Sequence, residues 1–353
     1  MALRNNLIPK ICGIVAAGAG LVGAIAPHGL WAAPASGHAQ GQAQEPAIRR
    51  EVNLVPVYFT VRDAKRALVT NLTKDEFHVY EDGKEQAIDT FAHESDVPLN
   101  VGVLLDTSTR MEVLLAAEAD AANLFLTKVV RPTDLAFVLS FDARVNVLQE
   151  PTQELKALER GVFSITRGAL AGEEPIDRMP STVGNPAPSN ARNLREAHIF
   201  DAVGVGTNRY LAPEIGRKAM VILALADDAK SETKLEDALR SLQETNTIAY
   251  VLEFEHSAHD DCDVLHIFHP GSGSVTRLAE ETGGRVIKVK GRDKLRAAFE
   301  EIAEELHSQY FLGYYMPNVV RDSKFRRIDV RTRNHALKVQ ARKGYYADPV
   351  EEK

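Results

Sequence analysis

Leu99-Asn100-Val101-Gly102-Val103-Leu104-Leu105-Asp106-Thr107-Ser108-Thr109-Arg110 is the stretch on which the fold turns. It is almost continuously apolar as far as Leu105, then stops at a carboxylate followed by hydroxyls. A strand without polar alternation is buried on both faces, as parallel strands are; a half-wet antiparallel strand would alternate. The sequence downstream agrees. Leu114, Leu115, Ala119, Ala122 and Leu126 lie at helical spacing within Met111 to Val130, and Leu135 to Phe141 is a second apolar strand.

The alternation continues as far as Ser308. Strands are expected at Val145 to Gln149, Lys218 to Leu225, Thr247 to Phe254 and Arg285 to Val289. Helices are expected at Gln153 to Thr166, Arg192 to Tyr210, Thr233 to Glu244, Ser272 to Thr282 and Lys294 to Ser308, with Gly283-Gly284 stopping one of them. Gly168 to Asn190, with four prolines, is expected to be a loop. This predicts an α/β domain over residues 98–308: a doubly wound, mostly parallel sheet of Rossmann-like type with helices on both faces.

Outside that span the period is two. Val52, Leu54, Val55, Val57, Phe59 and Val61 give strand-like alternation, Asp63-Ala64-Lys65-Arg66 a turn, and Ala67 to Thr70 a second strand. Thr73 with Glu76 has capping-box spacing. Phe77 to Tyr80 and Gln86 to Ala92 flank the hairpin turn Glu81-Asp82-Gly83-Lys84. After the helices come Tyr310 to Tyr315, Phe325 to Thr332 and Leu337 to Gly344. The expectation is a small β-sandwich-like domain built from both chain ends, residues 51–97 and 309–347, with the α/β domain inserted and residues 348–353 as a tail.

The 353 residues carry 42 Lys+Arg against 49 Asp+Glu, a formal charge of -7, which excludes a general nucleic-acid binder because no excess of cations meets the phosphates. Arg4 and Lys10, then an uncharged apolar run from Ile11 to Ala26, then small residues, read as a signal peptide over residues 1–39, cleaved after Ala39 or Ala43 and followed by a lead-in over 40–50. The run is shorter than the ~20 residues that cross a bilayer, so no integral span is expected after cleavage. The location implied is secreted, periplasmic or cell-envelope. Cys262 is then the one cysteine of the exported chain, since Cys12 leaves with the leader.

Asp106-Thr107-Ser108 resembles the strand end of von Willebrand factor type A (VWA) domains, Asp-x-Ser-x-Ser, the start of a metal-ion-dependent adhesion site. Leu72-Thr73-Lys74-Asp75-Glu76-Phe77, Glu81-Asp82-Gly83-Lys84, Gln309-Tyr310-Phe311-Leu312-Gly313-Tyr314-Tyr315 and Lys343-Gly344-Tyr345-Tyr346 are similar to the flanking segments of the VWFA-related acidobacterial domain family. The resemblance implies a non-enzymatic protein-interaction module whose site takes Mg²⁺. The ligand pattern departs from it. Arg110 stands at the third position of the first motif, Ala197 where the family has a Thr, and Leu225 where it has an Asp, unless a two-residue slip brings in Asp227. Asp106, Ser108 and Arg110 are therefore expected to form a degenerate, metal-independent surface for a protein partner, with Arg110 pairing Asp106. No cofactor is expected. The alternative is a Mg-dependent adhesin using Asp106, Ser108 and Asp227.

A second alternative is a metal-binding or redox protein. Between Glu255 and His269, His259, Cys262 and His266 are spaced closely enough to share Zn²⁺, although the spacing matches no established ligand pattern. No Gly-x-Ser-x-Gly elbow, His-Glu-x-x-His or Walker loop is present, and no enzyme is expected. The Tyr310, Tyr314, Tyr315, Tyr345 and Tyr346 concentration is expected to serve strand packing.

Overall fold

A computed structural model describes residues 54–93, 97–171, 196–224, 228, 230–254, 273–316 and 322–347. The leader, the lead-in, Leu225, Asp227, the stretch holding His259, Cys262 and His266, and the tail lie outside them.

The period-two segment becomes β1 (Leu54–Arg62), whose Val55, Val57, Phe59 and Val61 are buried. Oδ1 of Asp63 accepts the N–H groups of Lys65 and Ala67, and Arg66 takes a positive φ of 68° to close the turn. Ala67 to Thr70 contributes one bridge, Leu68 to Arg62, instead of a full strand. The capping box forms as its spacing predicts: Glu76 accepts the Thr73 N–H at 2.6 Å, starting the 3₁₀ turn Lys74–Glu76. β2 (Phe77–Glu81) and β3 (Lys84–Gln86) are joined through Asp82 at φ 48° and Gly83 at φ 81°, the left-handed pair that a two-residue hairpin requires. The strand expected from Gln86 to Ala92 is broken at Ala87, and β4 (Ile88–His93) belongs to another sheet.

The α/β part runs β5 (Leu99–Asp106), α1 (Leu115–Val129), β6 (Leu135–Phe141), β7 (Val145–Thr152), α2 (Leu155–Ala171), α3 (Ile199–Val205), β8 (Arg217–Ala224), α4 (Leu235–Glu244), β9 (Thr247–Phe254), α5 (Gly273–Glu281), β10 (Val286–Val289) and α6 (Arg292–His307). The six strands lie in the order β10-β9-β8-β5-β6-β7, all parallel except β7 against β6. Every residue of β5 is buried, because α1, α2 and α6 cover one face of the sheet and α3, α4 and α5 the other. This is the expected doubly wound fold.

Three boundaries moved. Met111 is tied back to Ser108 and Leu114 to Met111, so a 3₁₀ turn occupies the expected first turn of α1. α2 runs on through Gly168 to Ala171, helped by the helix-forming Ala169, Leu170 and Ala171. α3 widens into a π-helical segment, Gly206–Leu211, within what the sequence presents as plain helix.

The C-terminal strands β11 (Tyr310–Tyr315), β12 (Phe325–Thr332), β13 (Lys338–Ala341) and β14 (Gly344–Tyr346) join the N-terminal ones in two four-stranded sheets, β13-β1-β11-β4 and β14-β12-β2-β3. Their facing residues, among them Phe59, Phe77, Val79, Leu312, Ile328 and Val330, form one apolar core. Leu337 to Gly344 is two strands, not one. Arg342 leaves the ladder to donate from Nη2 to the Pro56 carbonyl at 2.7 Å, and the Lys343 N–H goes to the Glu281 carbonyl at 3.0 Å. Tyr310, Tyr314 and Tyr345 pack inward; Tyr315 is 55% exposed. The Tyr314 and Tyr345 hydroxyls both donate to Oε2 of buried Glu81, at 2.7 and 2.9 Å. Fully buried Glu305 on α6 pairs with Arg62 of β1 and with Arg285, which ties the sandwich to the α/β part.

Candidate functional site

α1 carries the chain from β5 to its neighbour β6 across one face, while α4 carries it from β8 to β9 on the opposite side across the other. The winding direction therefore reverses at β5, and the carboxyl ends of β5 and β8 are the switch point beyond which open α/β sheets place their ligands. Asp106 is the last residue of β5 and stands at that point.

Three loops meet there. The Thr107 N–H donates to the Phe141 carbonyl at 2.8 Å, which holds the loop after β5 against the end of β6. The His198 N–H donates to the Asp142 carbonyl at 3.0 Å and brings the start of α3 to the same place. The Phe200 N–H at the helix start is accepted by Oδ1 of Asp228 and by the Ser231 hydroxyl oxygen, both at 3.1 Å, and Ser231 in turn bonds Asp228. Asp201 completes the knot: its Oδ1 accepts the Thr233 N–H at 2.8 Å and its Oδ2 the Glu232 N–H at 3.1 Å.

Asp106 and Asp142 at this switch point are turned inward. Asp106 is fully buried, its Oδ1 accepting the Ser108 N–H at 2.8 Å, and Ser108 itself is 3% exposed. Behind it the Asp106 N–H donates to Oε1 of Glu118, a fully buried α1 residue whose Oε2 has no hydrogen-bond partner. Burial, and then the charge of Asp106, hold the Glu118 carboxyl well above the ordinary carboxylate range, so it favours the protonated form. Asp142 is buried as well.

Arg110, by contrast, is exposed on the 3₁₀ turn, and no ion pair joins it to Asp106 among the described residues. The expected Arg110–Asp106 pair is thus not formed, because the turn carries Arg110 outward while Asp106 closes on the Ser108 backbone. Glu112 is exposed beside Arg110, and Val113 is 72% exposed. Ala197, at the position where the resemblance puts a Thr, is buried and offers no side-chain oxygen.

Asp106, Ser108 and Arg110 thus share one loop, two of them inside it and one outside. Asp227, the remaining Mg²⁺ candidate, and the Zn²⁺ candidates His259, Cys262 and His266 are not among the described residues. Among those that are, no three or more His, Cys, Asp or Glu side chains gather as metal ligands would. Glu118 and Val113 were not singled out from sequence. Glu118 had a signal: it falls on the apolar stripe of Leu114, Leu115, Ala119 and Ala122, where a carboxylate needs a reason.

No family model matches the chain, and no curated protein does. Among solved structures, proximal thread matrix protein 1 from the mussel byssus is similar at 11% identity and a TM-score of 0.44, over 61% of this chain and 50% of that one. The chain therefore spans about half of that protein's length. A von Willebrand factor type A protein from Catenulispora acidiphila is similar at 9% identity and a TM-score of 0.46, over 85% and 75%. The vWF domain of the type V pili tip protein Mfa5 from Porphyromonas gingivalis is similar at 10% identity and a TM-score of 0.38, over 60% and 95%. Among the described residues, no helix is long and apolar enough to cross a membrane.

Proposed function

We propose that the protein is an exported, non-enzymatic VWA-type interaction module that meets a protein partner at the switch point beyond β5 and β8 and does so without a bound metal. The observation that carries this reading is the inward commitment of the strand-end acids. Asp106 and Ser108 are buried and bonded to each other, so the loop offers a partner Arg110, Glu112 and Val113 instead. Arginine is enriched at protein interfaces and among the residues that carry their binding energy.

The described residues at the strand end do not supply the near-octahedral set of oxygens that Mg²⁺, which gives up its water reluctantly, asks for. Ala197 brings no oxygen, Arg110 brings a fixed positive charge, and Glu118 behind the loop favours its protonated form. Arg4, Lys10 and the apolar run from Ile11 to Ala26 support a reading in which the module is exported to the envelope or the exterior.

The test uses the mature protein, immobilised and incubated with envelope extract, as wild type, Arg110→Glu and Val113→Glu, each with and without a chelator. The expected result is a partner retained by wild type in both conditions and lost from both variants. Retention by the variants, or loss on chelation, overturns the reading. Calorimetric titration with Mg²⁺ is expected to show no binding.

A further inference from the structure

Three buried polar atoms without a hydrogen-bond partner among the described residues share one face of the parallel sheet: Oε2 of Glu118, Oγ of Ser140 and Nδ2 of Asn146. Their side chains lie deep, at 0%, 1% and 5% exposure. The fold brings them together. Ser140 of β6 stands opposite Leu105 of β5, and Asn146 of β7 stands opposite Ser140. Residues directly opposed in an antiparallel pair share a face, with Cβ atoms about 4.5–5.5 Å apart. That face is the one beneath α1 and α2: Val138 and Leu148, each two residues away along its strand, pack there, whereas Leu139, Phe141 and Val145 pack on the other. Glu118 reaches the same face from α1, and its Oε1 is fixed at the Asp106 N–H, one residue beyond Leu105.

Buried polar groups in folded proteins are hydrogen-bonded, and those lacking a protein partner commonly meet ordered water. None of the three atoms bonds another, so a third party has to serve them. Their chemistry narrows what it is. Burial, and then the Asp106 charge, favour the protonated form of Glu118, and with Oε1 accepting from Asp106 the hydrogen falls to Oε2. The Asn146 amide nitrogen donates as well, and the Ser140 hydroxyl can do either. A cation would face two donors; an anion would be set close to the buried Asp106 carboxylate. A small neutral molecule that accepts twice and donates satisfies all three.

We infer that a buried water molecule occupies this point, accepting from Glu118 Oε2 and Asn146 Nδ2 and donating to Ser140 Oγ. It ties α1 to β6 and β7 directly behind the loop that carries Arg110, and gives Glu118 a second attachment besides the Asp106 backbone. The water site stands whether or not a partner meets that loop.

A crystal structure of the mature chain, at a resolution that shows ordered water, tests the site, together with water magnetic relaxation dispersion, which counts long-lived internal waters in solution. The expected result is one solvent peak within hydrogen-bond distance of all three atoms, and a dispersion amplitude smaller by one water in Asn146→Leu. Ser140→Ala leaves two partners; it is expected to keep the water but to shorten its residence about tenfold, as loss of one hydrogen bond would. Soaks in rubidium and bromide are expected to give no anomalous signal here; either signal would assign an ion and overturn the proposal. Asn146 bonded straight to Ser140 or Glu118 with no solvent peak between them overturns it too. So does an unchanged dispersion amplitude in a folded Asn146→Leu. Should that variant not fold, the wild-type peak and the soaks decide.

Discussion

The backbone N–H of Asp106 donates to Oε1 of Glu118 at 3.1 Å, which sets two fully buried carboxyl groups against one another at the head of the parallel sheet. Glu118 titrates above its ordinary range because burial, and then the Asp106 charge, disfavour its ionised form. In the unfolded chain it titrates normally. Between those two values the folded protein holds more protons than the unfolded one, so unfolding free energy falls as pH rises through the window. Glu118→Gln keeps an oxygen for the Asp106 N–H and removes the titration. The variant is expected to gain stability relative to wild type as pH rises above the ordinary carboxylate range, read from urea unfolding at a series of pH values. A difference that stays constant with pH would falsify this account.

Tyr314→Phe and Tyr345→Phe each remove one of the two hydroxyl donors to Oε2 of Glu81. Hydrogen bonds to a charged group contribute about 1.5–3 kcal/mol each, and each variant is expected to lose that much in guanidinium unfolding. The double variant should lose more than the sum, since the oxygen then has neither donor. Simple additivity would show that Glu81 is satisfied by other means.

Glu305→Ala strips the buried partner from both Arg62 and Arg285. Leaving a buried charge unpaired costs about 3–5 kcal/mol, and because Glu301 still meets both guanidiniums a loss below that range is expected in chemical denaturation. Arg62→Met should cost less, because Glu305 keeps Arg285. Equal losses from the two substitutions would contradict the shared-acid arrangement.

Gly284→Ala places a Cβ 1.8 Å from the Ala249 carbonyl oxygen, a backbone atom that cannot step aside. No soluble folded protein is expected from it. Gly204→Ala, whose nearest neighbour would be Thr233 at 3.7 Å inside α3, is expected to fold and to gain about 0.4–1 kcal/mol in thermal unfolding. The pair of expression and melting measurements checks both.

The sequence foretold those features whose cause is local. Thr73 and Glu76 are three residues apart, Asp82-Gly83 is its own turn signal, and the apolar run ending at Asp106 can hardly be anything but a central parallel strand. Features decided across the fold were not legible. The break at Arg342 depends on the Pro56 carbonyl, 286 residues away, and no local breaker marks it. Glu118 is abnormal because of what surrounds it, and the 3₁₀ turn that turns Arg110 outward comes from hydrogen bonds that compete closely with a helix start. The ligand chemistry of the strand end was legible as residue types; which groups face inward was not.

The pairing of β4 with β11, with Tyr310 opposite His93, has a consequence for synthesis on the ribosome. Apart from the local β2–β3 hairpin and the Arg62–Leu68 bridge, β1 pairs with β11 and β13, β2 with β12 and β4 with β11, so these N-terminal strands emerge long before their distant mates. The α/β segment holds its own complete sheet and can close first, leaving Leu54–His93 waiting as unmatched β edges until residues beyond Tyr310 appear. Truncation ahead of β11 would leave β1 and β4 without these mates permanently, so the early-translated half of the sandwich is a segment that a holding chaperone would have to protect.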